Sequence, residues 1–349
     1  LIYDNLTELL ENAFELELTE GRRLVIFSDL HIGNRGRTDD FLNNSQMFHH
    51  VLKHFYLPAG YGLILNGDIE ELQRFDIGTI EEKWQDLYLL LDEFQKSDRL
   101  WKTVGNHDSE LMVKSRTGIN RDLMRAIRLR LDRRCIFVYH GHQASVFFNK
   151  FNRLSGYILR FIANPLGIKN YSVSQDNRKK FRTEERLYRF SSKKKVISII
   201  GHTHRPLFES LSKVDTLKYA IEDLINKFPT LPTERREAVK QTVRMYLSEL
   251  RETHNRKRQY NLVSTIYSCD VVVPVLFNSG CCIGKRGITC IEINGDTIAL
   301  NHWFDGQKNS KYLGREDYIP LRLDESQYYR VTLRERTLTE IFTRIELLS

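Results

Sequence analysis

"VISIIGHTH" (196–204) is the stretch whose reading decides the fold of this chain. Val196 to Ile200 form a short apolar, β-branched run of the kind that fills a buried strand. The run stops at Gly201, and two histidines follow two positions apart, His202 and His204. Two imidazoles at a strand end can hold a cation or simply form a polar turn. The pair alone leaves both readings open, so the rest of the chain has to supply further ligands.

Four other apolar runs end in the same way: "RLVIFSDLH" (23–31), "GLILNGDIEE" (62–71), "LWKTVGNHD" (100–108) and "CIFVYHGHQ" (135–143). Helical patterns separate the first of them, as in "DDFLNNSQMFHHVLKHF" (39–55) and "TIEEKWQDLYLLLDEFQK" (79–96). Such alternation predicts an α/β core. Open α/β sheets collect ligands at the carboxyl ends of their strands. Asp29, His31, Asp68, Asn106, His140, His202 and His204 are therefore expected in one crevice.

That set offers oxygen and imidazole ligands without thiolate. It favours two divalent cations, Mn foremost, with Fe, Zn or Mg as alternatives. Asp68 is placed as the bridge. One cation is assigned Asp29, His31, Asp68 and His204, the other Asp68, Asn106, His140 and His202. Two cations about 3.5–4 Å apart can activate water and clamp the oxygens of an in-line displacement at phosphorus. Singly, each motif is weak. A lone D-x-H is more often turn chemistry, "GNHD" suits a tight turn, and His140 alone reads as a core histidine. Five strand ends in order, each with a ligand-grade residue, are hard to obtain from turn preference.

The motifs "DLH" (29–31), "GD" (67–68), "GNHD" (105–108), "HGH" (140–142) and "GHTH" (201–204) resemble the calcineurin-like metallophosphoesterase superfamily over about residues 22–208, and again near 276–293. The resemblance implies a four-layer α/β/β/α sandwich with a dimetal centre at one edge. It also implies that His107 contacts the phosphate and helps protonate the leaving group, with Asp108 orienting it. Within the superfamily the chain looks nearest to the UDP-2,3-diacylglucosamine pyrophosphatase-like group. "GDIEEL" (67–72) and a helical lid with "NP" at 164–165 carry that likeness. That group usually has arginine where this chain has His107, and "HGD" where this chain has "HGH".

The 349 residues carry 41% hydrophobic and 28% charged side chains and a net charge of +8, which suits a globular protein with anionic partners. Five cysteines, Cys135, Cys269, Cys281, Cys282 and Cys290, show no C-x-x-C spacing, which favours a reducing compartment. No spanning helix is expected. The expected location is cytoplasmic, with peripheral contact at the inner membrane.

One metallophosphoesterase domain over 1–349 is expected, with a helical lid at 144–195 and a helical hairpin at 209–258. In the lid, Phe147, Phe151, Leu154, Ile158 and Phe161 share one helical face, and basic residues run from Arg178 to Lys195. Such a helix can rest on an anionic membrane or close over an acyl chain; the plainer reading packs it on the sheet with its basic face in water. Thr233 is a plausible N-cap in the hairpin, which could serve dimerisation or a partner. "ITCIEINGDTIALNHWFDG" (288–306) reads as a β-hairpin turning at "NGD".

These readings together point to a dimetal phosphoester or pyrophosphate hydrolase using a metal-bridging hydroxide. A lipid-linked or nucleotide-sugar pyrophosphate is the first candidate substrate, and a nucleotide, nucleic acid or phosphoprotein the second. A binding scaffold with a degenerate metal site is the alternative of another class.

Overall fold

The structure is a computed structural model, and it describes residues 2–113, 118–144, 177–211, 232–258, 272–315 and 317–349, with 217–218, 220–222, 224–225 and 228–230. Among the described residues the strands are β1 (Phe14–Glu17), β2 (Arg23–Phe27), β3 (Gly62–Asn66), β4 (Leu100–Thr103), β5 (Leu123–Met124), β6 (Ile127–Leu131), β7 (Arg134–Val138), β8 (Ile197–Ile200), β9 (Leu276–Asn278), β10 (Ile288–Asn294), β11 (Thr297–Asp305), β12 (Leu321–Arg322) and β13 (Tyr328–Thr337). The α-helices are α1 (Ile2–Glu11), α2 (Leu42–Val51), α3 (Ile77–Lys83), α4 (Gln85–Lys96), α5 (Asn177–Lys194), α6 (Thr233–Arg258) and α7 (Leu338–Leu348).

These strands form two sheets. The larger runs β12-β13-β11-β10-β2-β3-β4-β5, the smaller β1-β6-β7-β8-β9. β2, β3, β4 and β5 pair in parallel, as do β7, β8 and β9. Parallel strands need both faces covered, and the alternation within β2 shows how this is met. Leu24 and Ile26 point into a core shared with Ile127, Leu129, Ile136, Val138, Ile197 and Ile199 of the smaller sheet. Val25 and Phe27 point the other way, onto Phe48 and Val51 of α2 and Leu91 and Phe94 of α4. Each such side chain contributes about 1.5–3 kcal/mol over leaving it exposed. A one-residue slip of β2 would exchange the two sets between cores. Leu187, Tyr188 and Phe190 of α5 and Ile341, Phe342 and Ile345 of α7 join the core containing the smaller sheet. The result is a mixed α/β sandwich of two sheets flanked by helices.

The hairpin at 288–306 forms as read: β10 and β11 pair from Ile288↔Trp303 to Asn294↔Thr297, and Gly295 takes φ +56° in the turn. The stretch after it divides. β13 lies on β11, and α7 begins where Thr337 and Glu340 close a capping box.

The expected lid falls largely on 145–176, outside the described residues, so Phe147, Phe151, Leu154, Ile158, Phe161 and the "NP" pair lie there too. Its last helix, α5, buries Thr183, Glu184, Leu187, Tyr188, Phe190 and Ser191 while Arg182, Arg189 and Lys193 face water. Of the hairpin region, α6 leans on polar contacts: Tyr246 donates to Asp317 at 3.2 Å, and Glu249 receives Lys311 at 2.9 Å and Arg315 at 3.2 Å. No helix among the described residues is long and apolar enough to cross a membrane.

Candidate metal centre

The expected ligand residues stand just past the strands. Asp29 and His31 follow β2, Asp68 follows β3, Asn106 and His107 follow β4, His140 follows β7, and His202 and His204 follow β8. The loops after β2 and β3 run side by side, held by Asp29 N–H to Gly67 O (3.1 Å) and His31 N–H to Asp68 O (3.0 Å). The two sheets are tied where the backbone N–H of His202 donates to both oxygens of Asp29, at 3.0 and 3.1 Å.

To aim their side chains inward, Asp29, His31, Asp68, His202 and His204 all take the left-handed region, with φ between 49° and 63°. Non-glycine residues there cost energy and persist where the surroundings over-determine them. Two glycines make room. A Cβ on Gly105 would sit 2.1 Å from Asp68 Oδ1, and one on Gly201 would sit 2.5 Å from Asp29 Oδ2.

Three groups of donor atoms converge, each within 4.8 Å: Asp29, His31 and His204; His31, Asp68 and His107; Asp68, His140 and His202. His31 Nε2 and His204 Nε2 face each other at 3.1 Å, and Asp29 Oδ1 is 3.0 Å from His204 Nε2. Asp68 divides its two oxygens. Oδ1 accepts the His107 backbone N–H at 2.8 Å, while Oδ2 lies 3.0 Å from His140 Nε2 and 4.0 Å from both His31 Nε2 and His107 Nε2. Oδ2 is thus the atom placed between the groups.

The residues fit a pair of cations. His140 Nδ1 donates to the Asn66 carbonyl at 2.9 Å, which turns its Nε2 toward the cluster. That Nε2 is close to Asp68 but makes no aligned hydrogen bond, and the buried Nε2 of His202 and Oδ1 of Asn106 have no hydrogen-bond partner among the described residues. Buried polar atoms without partners are costly. Atoms aimed at a common centre rather than at one another are what a coordination shell requires.

The electrostatics agree. Burial opposes charge on His140, yet Asp68 and Asp29 outweigh it and lift the imidazole to about 10. Burial and the neighbouring His140 push His202 down to about 3. The two buried carboxylates draw positive charge into the cluster, a role a divalent cation fills while leaving imidazoles neutral.

The expected pairing of Asp108 with His107 does not form. Asp108 is fully buried, and its carboxylate accepts Gly105 N–H at 2.6 Å and Ile69 N–H at 2.7 Å. Burial, Asp68 and Glu70 push its pKa up to about 6. It braces two loops instead. The partner of His107 is Glu71, whose Oε1 accepts from His107 Nδ1 at 2.8 Å while Oε2 accepts from His31 Nδ1 at 2.8 Å. Burial pushes the Glu71 carboxyl up, but the bonds from His107 and His31 prevail and hold it at about 2. Burial likewise opposes charge on His107, and Asp68 with Glu71 raises it to about 9.

α5 adds charge beside the centre. Glu184 accepts from Thr203 Oγ1 at 2.7 Å and is gripped by Arg205, the residue after His204. Lys180 lies one turn before Glu184 on the same helical face. It is half-buried, without a hydrogen bond or ion pair among the described residues, and burial and Arg205 lower its pKa.

Comparison with known proteins is consistent with this geometry. No curated protein matches the chain. A solved structure of a single mutant of Vps29 from Entamoeba histolytica is similar at 12% identity, covering 89% of this chain and 99% of that one, with a TM-score of 0.36, too low to carry an argument. The model of the family described as calcineurin-like phosphoesterase matches residues 22–228, more than half of the chain. This chain belongs to the calcineurin-like phosphoesterase family.

Proposed function

We propose that the chain is a dimetal phosphoesterase, with Asp29, His31, Asp68 and His204 around one cation and Asp68, Asn106, His140 and His202 around the other. The observation that carries this reading is the convergence of the Asp29, His31, Asp68, His140, His202 and His204 donor atoms, with the buried His202 Nε2 left without a hydrogen-bond partner among the described residues. Two divalent cations held there, Mn foremost, would supply positive charge against the phosphoryl oxygens and would lower the pKa of a water toward neutral. The chain's own residues orient and transfer. Asp68 presents Oδ2 to both groups, because Oδ1 is held by the His107 backbone. His107, whose Nδ1 is held by Glu71, supplies a proton to the departing oxygen.

For the substrate we favour a lipid-linked or nucleotide-sugar pyrophosphate, the chemistry of the UDP-2,3-diacylglucosamine pyrophosphatase-like group. Lys180 supports it: a half-buried ammonium without an acceptor among the described residues, on the helix next to the centre, suits a second anionic group. The test is a panel with Mn of bis-p-nitrophenyl phosphate, a nucleoside diphosphate-sugar and a lipid-linked pyrophosphate, run beside metal analysis. Turnover of one or more esters is expected, with Asp68→Ala losing both metal and turnover while staying folded. Full activity in Asp68→Ala would refute the bridging role.

A further inference from the structure

Glu71 is buried, and both of its oxygens are spent on histidine Nδ1–H groups from two different loops. The rings of His31 and His107 meet edge to face across it, 4.6 Å apart at 88°. A carboxylate that accepts from Nδ1 fixes the ring's tautomer and direction. Here it does so twice, and both Nε2 atoms are left 4.0 Å from Asp68 Oδ2. Glu71 itself cannot drift, since its backbone N–H is bonded to Ile32 O at 3.0 Å, next to His31. Asp108 offers no substitute, with both oxygens occupied by backbone N–H groups.

We propose that Glu71 is a positioning residue shared by a metal ligand and the proton donor, so that cation binding through His31 and leaving-group protonation through His107 depend on one carboxylate. The second half rests on the phosphoesterase reading above; the first does not. A Gln in its place keeps the volume but has one acceptor oxygen, and its amide N–H₂ faces another N–H donor. One of the two histidines must then lose its partner, turn or change tautomer.

The experiment compares wild type with Glu71→Gln, Glu71→Ala, His107→Ala and the Glu71→Ala/His107→Ala double variant. Mn affinity is read by calorimetry. Rates are read on bis-p-nitrophenyl phosphate, whose leaving group departs without a proton, and on diphenyl phosphate, whose leaving group needs one. Loss of a carboxylate behind a ligand histidine typically lowers metal affinity about 10–100-fold, and that fall is expected in Glu71→Gln and Glu71→Ala but not in His107→Ala. With the metal sites saturated, Glu71→Ala should lose about 10-fold or more extra rate on diphenyl phosphate relative to the nitrophenyl ester, within the range of general acid catalysis. The double variant should show no further loss of that selectivity, as for residues acting as one unit.

Equal losses on both esters with unchanged Mn affinity would overturn the proposal and leave Glu71 a packing residue. Should Glu71→Ala fail to fold, the same readings are taken from Glu71→Gln. If metal-loaded wild type hydrolyses neither ester, the phosphoesterase reading fails, and the Mn titration alone then decides the ligand half: unchanged affinity in Glu71→Gln overturns it.

Discussion

Adding one methyl group to Gly105 tests whether the Asp68 carboxylate has to be where the structure puts it. Gly105 does not occupy the left-handed region, so alanine meets no backbone penalty there. The added Cβ would lie 2.1 Å from Asp68 Oδ1, 2.5 Å from its backbone nitrogen and 2.7 Å from its Cγ. Ordinary contact begins at 3.4 Å, so the carboxylate has to retreat by about 1.3 Å. The Asp68 backbone nitrogen is crowded as well, and the retreat breaks the 2.8 Å bond from the His107 N–H. Overpacking of this kind costs about 1–3 kcal/mol of stability. A displacement of about 1 Å at a reacting centre costs about 100-fold in rate. Gly105→Ala should therefore fold, bind Mn more weakly and lose about 100-fold in kcat/KM on the best ester of the panel. Gly314→Ala is the control, because nothing lies within 4 Å of its added Cβ. The assay is steady-state hydrolysis with metal analysis and urea unfolding on the same preparations. If Gly105→Ala keeps its metal and stays within threefold of wild type, Asp68 Oδ1 is not a fixed part of the centre and the bridging geometry is wrong.

Lys102 is buried against Glu70, at 2.5 and 2.7 Å, and donates to Asn120 at 2.6 Å; Lys102→Met strands the Glu70 charge, and urea unfolding should show a loss of about 3–5 kcal/mol. A loss under about 1 kcal/mol would mean that Glu70 is neutral or solvated. His302 is depressed by burial from 6.5 to about 4, so between those values the unfolded chain binds more protons and stability rises with pH. Its contribution, at most about 3 kcal/mol, is present above pH 6.5 and lost as pH falls toward 4. In chelator, His302→Phe should have a flatter stability profile across that window, and parallel profiles would show that His302 titrates normally. Thr337→Ala removes the side chain that caps α7 and should cost about 1 kcal/mol, read as a lower melting temperature.

Most of the convergence was legible because ligand-grade chemistry interrupts apolar strands: Asp29, Asp68, His140 and His202 each close a run that would otherwise read as core. Glu71 was not legible. It stands beside Glu70 in "GDIEE", and nothing local separates them; the fold turns Glu70 to Lys102 and Glu71 to two histidines 40 and 36 positions away. Asp108 misled for the converse reason. Its place after His107 suggested a side-chain pair, but its carboxylate turns to the backbone amides of Gly105 and Ile69. Lys102 sits within β4, where its burial is decided by Glu70 and Asn120 rather than by its own chemistry. β5 and β12 are two residues each, too short to show alternation, and they exist because a neighbouring strand has an open edge.

The donor atoms come from both sheets: Asp29, His31, Asp68 and Asn106 from the larger, His140, His202 and His204 from the smaller. An ion held by both is then a rivet through the sandwich as well as a reagent. Its binding energy opposes unfolding by mass action, so a chelator would soften the molecule as it silences it. Heat resistance and turnover would rise together along one metal titration, and a preparation stripped during purification would still be folded but would melt earlier, missing only its fasteners.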